Sequence, residues 1–228
     1  MKKGNIAAFF DFDGTLYNGI IAFDFLYFRI REHTMGLNGA LLLPRLFFYY
    51  ILDKFGITDR YALNKKIYAR IKGWNSCSLE SSATRFFENG IAKKLFPEKL
   101  FPEMLKILNA HKKEHHKVII VTSALREIVS PISRWVKIDD VIATEVGVSN
   151  GVYNGVIKAL PVGKSRINVI RKYCETNGIN MKKSYAYSDH YSDIPLLEGI
   201  GNPAAANPDR RLRKYAEKKG WKIINTVN

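Results

Sequence analysis

Residues 6–16, Ile-Ala-Ala-Phe-Phe-Asp-Phe-Asp-Gly-Thr-Leu, constrain this chain more than any other stretch. Five consecutive apolar residues read as a buried parallel strand, and Gly14 and Thr15 end it just after Asp11 and Asp13. Both carboxylates therefore fall at the carboxyl end of the strand, where open α/β sheets bind their ligands. Two acids one residue apart at a desolvated strand end repel each other and need a cation, a proton or a task. A lone Asp at such a turn more often caps a helix or forms an Asx-turn. A pair spaced Asp-X-Asp-Gly-Thr after an apolar run points to chemistry instead.

Asp11-Phe12-Asp13-Gly14-Thr15 closely resembles motif I of the haloacid dehalogenase-like (HAD) phosphohydrolases. In that family the first Asp is a nucleophile and the second a general acid/base, with a magnesium ion between them and the phosphate. The resemblance implies three further motifs in fixed order.

Between Gly19 and Leu95 the periodicity is helical, through Ile20–Ile30, Leu41–Leu52, Leu63–Ile71 and Leu79–Leu95, with breaks at Gly36, Gly56-Ile57-Thr58 and Gly73-Trp74-Asn75-Ser76. This predicts an all-helical insertion of about four helices. A helix over 103–116 follows Pro97 and Pro102 and ends in His111-Lys-Lys-Glu-His-His116, read as a solvated helix end because adjacent histidines face different sides of a helix. Lys117–Ser123 is a second buried strand ending in hydroxyls, then come a helix over Leu125–Trp135 and a short strand over Asp140–Thr144. Val146–Ile157 alternates as a β-hairpin, with turns expected at Asn150-Gly151 and Asn154-Gly155. A helix over 164–177, introduced by Gly163-Lys164-Ser165, precedes a strand over Ser184–Ser188 that ends in Asp189 and, four residues on, Asp193. The tail reads as a strand near Ile200–Ala206, a helix over Asp209–Lys219 and a strand over Trp221–Ile224. The expected fold is α/β, a Rossmann-like parallel sheet core formed by residues 1–18 and 96–228 with a helical cap at 19–95.

At 228 residues the chain is long enough for a sizeable core, and 46% hydrophobic with 25% charged residues is ordinary for a globular protein. The net charge of +15 is not ordinary. Lys and Arg are dispersed, apart from short clusters such as Arg210-Arg211-Leu212-Arg213-Lys214, so a solvated basic surface is expected and no specific nucleic-acid partner. Cys77 and Cys174 lack the spacing of a metal or redox pair. With no signal peptide recognised before Asp11, the expected location is the cytoplasm. The apolar region Leu37–Leu52 contains Pro44 and Arg45 and falls short of the roughly 20 residues a spanning helix needs, so it reads as a buried helix, with weak membrane-surface association as the lesser alternative.

Strand ends carrying these groups suit phosphoryl transfer, in which catalysis is mostly positioning and charge neutralisation. Asp11 is placed to attack phosphorus and form an aspartyl-phosphate, and Asp13 to protonate the leaving oxygen and then deprotonate water. Asp11, the Asp13 carbonyl and Asp189 offer the hard oxygen ligands that suit Mg²⁺, with Asp193 in support and Gly14 and Thr15 shaping the turn. Thr122, with Ser123 in reserve, can donate a hydroxyl to a phosphoryl oxygen, and Lys164 at a helix start can add an ammonium.

Asp11-to-Thr15, Thr122, Lys164 and Ser188-Asp189…Asp193 occur in the order of motifs I to IV of the HAD family, whose usual Gly is here Ser188. The helical insertion between motifs I and II is similar to the C1 cap of subfamily IB, which includes the phosphoserine phosphatases. The resemblance covers nearly the whole chain and implies a Mg²⁺-dependent phosphomonoesterase acting on a small phosphorylated metabolite. Alternatives that use the same residues are a lipid phosphatase of the phosphatidylglycerophosphate type, at a membrane surface, and a phosphotransferase. Phosphoserine phosphatases carry an acid nine positions after the nucleophile, where this chain has Ile20, and the nearest acid is Asp24. Together with the aromatic residues Phe23, Phe25, Phe28, Phe47, Phe48, Tyr49 and Tyr50, mostly expected as cap core, this favours a bulkier or more apolar substrate than phosphoserine.

Overall fold

A computed structural model describes residues 5–34, 41–54, 59–93 and 98–226. Seven strands, β1 (Ala7–Asp11), β2 (Lys117–Leu125), β3 (Asp140–Ser149), β4 (Val152–Ala159), β5 (Tyr185–Ser188), β6 (Asn202–Ala206) and β7 (Lys222–Ile224), form one sheet in the order β4-β3-β2-β1-β5-β6-β7. All neighbours are parallel except the β3/β4 pair. All five β1 residues are buried because the strand is central and both faces of the sheet are covered. Its side chains alternate between two cores, Ala8 and Phe10 with Val118 and Ile120 on one side, Ala7 and Phe9 with Ile119 and Val121 on the other.

Between β1 and β2, ahead of a fifth helix at Pro102–Lys113, the described residues form four helices: α1 (Ile21–Arg31), α2 (Leu42–Lys54), α3 (Arg60–Ala69) and α4 (Ser76–Ala92). Polar side chains start two of them. Asp59 accepts the Tyr61 and Ala62 amides ahead of α3, and Asn75 accepts the Ser78 amide at 2.8 Å ahead of α4. Phe25, Tyr68, Ile71, Leu79 and Phe86 of this insertion belong to the same apolar cluster as Phe10 and Ile120, so it packs directly on the sheet. The remaining helices are α5 (Pro102–Lys113), α6 (Arg126–Trp135), α7 (Lys164–Asn177), α8 (Ile194–Gly199) and α9 (Arg210–Lys219), with a 3₁₀ turn at Tyr191–Asp193.

The β3/β4 hairpin departs from the expectation in one detail. Asn150 (φ 50°) and Gly151 (φ 75°) make the expected tight turn, but β3 runs unbroken to Ser149 and the second Asn-Gly lies inside β4. There the Asn154 side chain accepts the Val156 amide at 2.9 Å and Gly155 (φ 82°) takes up a shift in strand register. This is a bulge, which only a residue tolerant of positive φ admits. The hairpin also anchors the insertion: Tyr153 exchanges backbone hydrogen bonds with Gly73 and Trp74 at 2.8 and 2.9 Å.

Helix α2 is not the buried helix expected for Leu37–Leu52, of which residues 37–40 lie outside the described part. Leu46 is buried, whereas Phe47 and Phe48 are each 58% exposed. Phe25 is buried, Phe23, Phe28 and Tyr49 are partly buried, and the Tyr50 side chain is outside the described part.

The histidines at the end of α5 and just after it differ as well. His115 adopts φ 59° and reverses the chain, so His111 and His116, rather than adjacent residues, come together with Nδ1 atoms 2.9 Å apart. The His111 Nε2 meets the Tyr187 hydroxyl at 2.8 Å, and its ring packs on Tyr185. Glu114 completes a group whose ligand atoms all lie within 4.8 Å. Burial, with His116 adding to it, pushes the His111 pKa down to about 4. An unfolded His titrates near 6.5, so between these values the unfolded chain binds the proton and the folded one does not. The stabilisation is complete above about pH 6.5 and is lost as pH falls toward 4. Denaturant midpoints measured between pH 6.5 and 5 are expected to fall more steeply for the native protein than for His111→Gln. Identical slopes would contradict the buried neutral state.

Candidate active site

The carboxyl ends of β1, β2 and β5 lie side by side because the register aligns Asp11 with Val121 and Phe10 with Tyr187. Asp11, Thr122 and Asp189 are thus gathered at one edge of the sheet, as the sequence implies. Asp11 is buried, and its Oδ1 accepts the Phe12 amide at 2.9 Å. Gly14 (φ 78°) lets the following turn fold back so closely that a Cβ there would sit 2.1 Å from Asp189 Oδ2. Thr15 is fully buried behind it.

The cation beside Asp11 is not the one expected. Lys164 is exposed at the first position of α7, whereas the buried guanidinium of Arg166 places Nη1 3.2 Å from Asp11 Oδ1 and 2.5 Å from Asp193 Oδ2. Two residues turn a helix by about 200°, so Lys164 and Arg166 cannot share a face. The buried face of α7 is Arg166, Ile167, Ile170 and Cys174, which selects Arg166. The Gly-Lys dipeptide marks the helix start in the sequence but does not tell which residue of the first turn points inward. Arg166 Nε also donates to the Pro161 carbonyl at 3.1 Å, fixing the plane of the fork. Burial works against its charge, but Asp11 and Asp193 hold its pKa above the usual arginine value.

Asp193 is fully buried and also accepts the Ser188 hydroxyl at 2.5 Å. Ser188, where the family has Gly, thus supports the acid. Burial, opposed by Arg166, raises the Asp193 pKa. Burial and then Asp11 raise that of Asp189, and no described group donates a hydrogen bond to its buried Oδ1. Asp11, Asp189 and Asp193 therefore crowd around one fully buried cation, leaving negative charge and two carboxylate oxygens, Asp189 Oδ1 and Asp193 Oδ1, without a hydrogen-bond donor among the described residues. Hard oxygen donors with surplus charge fit a divalent cation such as Mg²⁺.

Asp13 does two things. Its Oδ1 accepts the Ile21 amide at 2.8 Å, capping the start of α1, and the residue also lines a cavity of about 700 Å³ between the insertion and the strand ends. Burial raises its pKa to about 7, the Ile21 hydrogen bond opposing and the Asp11 charge adding to the rise. Ser123 lines the same cavity, and its carbonyl accepts the Tyr68 and Thr144 hydroxyls at 2.5 and 2.7 Å. Buried Thr122 accepts the Ala124 amide at 3.1 Å, so its own proton is available to a ligand.

The insertion contributes Arg60, a residue that sequence reasoning missed. It opens α3, donates to Ser192 Oγ at 3.2 Å and acts electrostatically on Asp13 and Asp189. Only its place on α3 relative to the strand ends reveals it.

Removing one partner of a buried ion pair costs roughly 3–5 kcal/mol, whereas most exposed substitutions stay within about 0.5 kcal/mol. Arg166→Met is therefore expected to lower unfolding free energy by several kcal/mol and Lys164→Ala to leave it nearly unchanged, as read by chemical denaturation. The reverse order would return the role to Lys164.

Residues 8–198 match the family model of the haloacid dehalogenase-like hydrolases. A probable phosphatase of Mycobacterium tuberculosis is 27% identical over 98% of this chain and 76% of its own length. A phosphoserine phosphatase of the same organism is 27% identical over 95% of the chain and 70% of its own length. Among solved structures, a Bordetella pertussis protein of unknown function superposes with TM-score 0.83 at 22% identity, covering 98% of this chain and all of its own. A phosphoserine phosphatase captured as a phospho-aspartyl intermediate analogue superposes with TM-score 0.68 at 18% identity, over 100% of this chain and 95% of its own. The last two likenesses concern the fold, and the family match spans most of the sequence, from β1 into α8: the chain belongs to the haloacid dehalogenase-like hydrolases.

Proposed function

We propose that the protein is a Mg²⁺-dependent phosphomonoesterase that hydrolyses a phosphorylated metabolite through a phospho-Asp11 intermediate. The observation that carries this reading is Asp11 held by Arg166 among crowded carboxylates, two residues before Asp13, which with Asp189 lines the cavity. Relatives named phosphatase, phosphoserine phosphatase and histidinol-phosphatase support the reaction class.

Asp11 is the nucleophile: its Oδ1 is fixed by Phe12 and Arg166, which leaves the second oxygen to attack phosphorus. Asp13, with a pKa of about 7, is matched to donating a proton to the leaving oxygen and retrieving one from the attacking water. Thr122 donates to a phosphoryl oxygen, Ser123 is placed to assist, and Arg60 adds positive charge from the insertion. Arg166 takes over the part first given to Lys164, orienting Asp11 and Asp193 and offsetting their charge. Asp11, the Asp13 carbonyl and Asp189 would hold the Mg²⁺, which when bound neutralises charge on the phosphate and the acids. The insertion, about residues 19–95, selects the substrate as a cap.

Release of phosphate from a generic aryl phosphate is expected to vanish in Asp11→Asn and in EDTA, and to return when Mg²⁺ is restored to the native protein. Substantial activity of Asp11→Asn, in a preparation shown free of other phosphatases, would overturn the mechanism.

A further inference from the structure

Above the strand ends, the cavity of about 700 Å³ is walled by Phe23, Leu26, Leu46, Leu63, Ile67 and Trp74 of the insertion. This is the middle of the range for sites that enclose drug-sized ligands, far more room than a phosphorylated amino acid of small side chain occupies.

The charges around it are unevenly placed. Among the described residues, apart from Asp13 and Asp189 at the floor, the one carboxylate in the lining is Asp209, and it is committed: Oδ1 accepts the Arg211 and Leu212 amides and Oδ2 the Tyr191 amide. Asp24 is committed too, its Oδ2 bound by Lys99 at 2.5 Å and by the Tyr17 hydroxyl at 2.6 Å. The other charged side chains of the lining are Arg60, Arg210 and Arg211, all cationic. A substrate ammonium above the floor would thus meet apolar walls, positive charge or neutral polar groups such as Asn64 and Tyr49, and no uncommitted carboxylate among the described residues to offset its lost hydration.

We infer that the leaving group is a bulky apolar alcohol or phenol without an ammonium, its phosphate at Asp11 and its body buried against the insertion. This rests on the phosphomonoesterase reading and names its substrate class. Amphiphilic lipid phosphates and dispersed apolar phosphates share this chemistry. Exposed Phe47 and Phe48 on α2, together with the +15 net charge, make a surface through which the first kind could be reached in a bilayer.

The test is kcat/KM of the native protein with Mg²⁺ for n-alkyl phosphates from methyl to octyl, all below their aggregation limits, beside phosphoserine and a generic aryl phosphate. Burial of each methylene is worth about fourfold, so kcat/KM is expected to climb by roughly that factor per carbon until the cavity fills, with phosphoserine far below. Leu46→Trp, which takes up space in the wall, is expected to move the optimum to shorter chains. The native series decides the matter if that variant does not fold. A flat series, or phosphoserine as the best substrate, would overturn the inference while leaving the phosphatase reading intact. Hydrolysis of none of the esters, the aryl phosphate included, would instead remove that reading.

The source is separated by presenting one long-chain phosphate either dispersed or embedded in phosphatidylcholine vesicles containing an anionic lipid. Faster turnover in vesicles, reduced in a Phe47→Ser/Phe48→Ser variant, assigns the lipid. Faster turnover of the dispersed form assigns the soluble ester, and both support an apolar leaving group.

Discussion

The site depends on one guanidinium. Three strand-end and loop carboxylates, Asp11, Asp189 and Asp193, are brought together by the parallel register, and so much buried like charge is costly unless a cation is placed among them. Arg166 reaches two of them from the buried face of α7, anchored by the Pro161 carbonyl. A planar fork that stays charged at every relevant pH can hold two acids in register, which a single flexible ammonium does less well. The same ion pairs join α7 to β1 and to the turn after β5, so the constraint that shapes the chemistry also closes the fold.

The second constraint links the insertion to the acids. Asp13 spends one oxygen on the first amide of α1, so the residue proposed as the acid/base also caps the helix with which the insertion begins. Tyr68 and Arg60 on α3 return to the Ser123 carbonyl and to Ser192, and the β3/β4 hairpin holds the Gly73-Trp74 corner. Motion of the insertion would therefore be felt first at Asp13 and Ser123. In a cavity walled mainly by aliphatic and aromatic groups, water exclusion on occupancy strengthens every charge interaction at its floor.

How far the sequence alone carried differs by element and for physical reasons. The central strands and α7 were plain because burial on both faces writes continuous apolar runs and because Gly163-Lys164-Ser165 marks where the helix starts. Asp11, Asp13 and Asp189 were legible as acids ending such runs. Arg166 was not chosen because motif spacing locates a helix start but not which of its residues turns inward, a matter of rotation that only the buried stripe of α7 decides. The fate of His111 was hidden by a left-handed residue at His115, and that of Asn154-Gly155 by a side-chain hydrogen bond that turns a turn signal into a bulge. Phe47 and Phe48 show the limit of composition, since aromatic residues in an amphipathic stretch do not declare which of them face the core. Arg60 could not be anticipated at all, because its partners lie across the cavity from a helix whose placement no local pattern encodes.

The central claim is that Asp11 is the atom carrier of the reaction, and it can be read covalently. Acid-quenched single turnover of a good-leaving-group aryl phosphate, followed by peptide mass spectrometry, is expected to find a phosphoryl adduct on Asp11 and on no other residue. The adduct is expected to persist longer in Asp13→Asn, where water lacks its base, and to be absent in Asp11→Asn. A phosphoryl group on a different side chain, or turnover at full rate with no adduct at any quench time, would contradict the account.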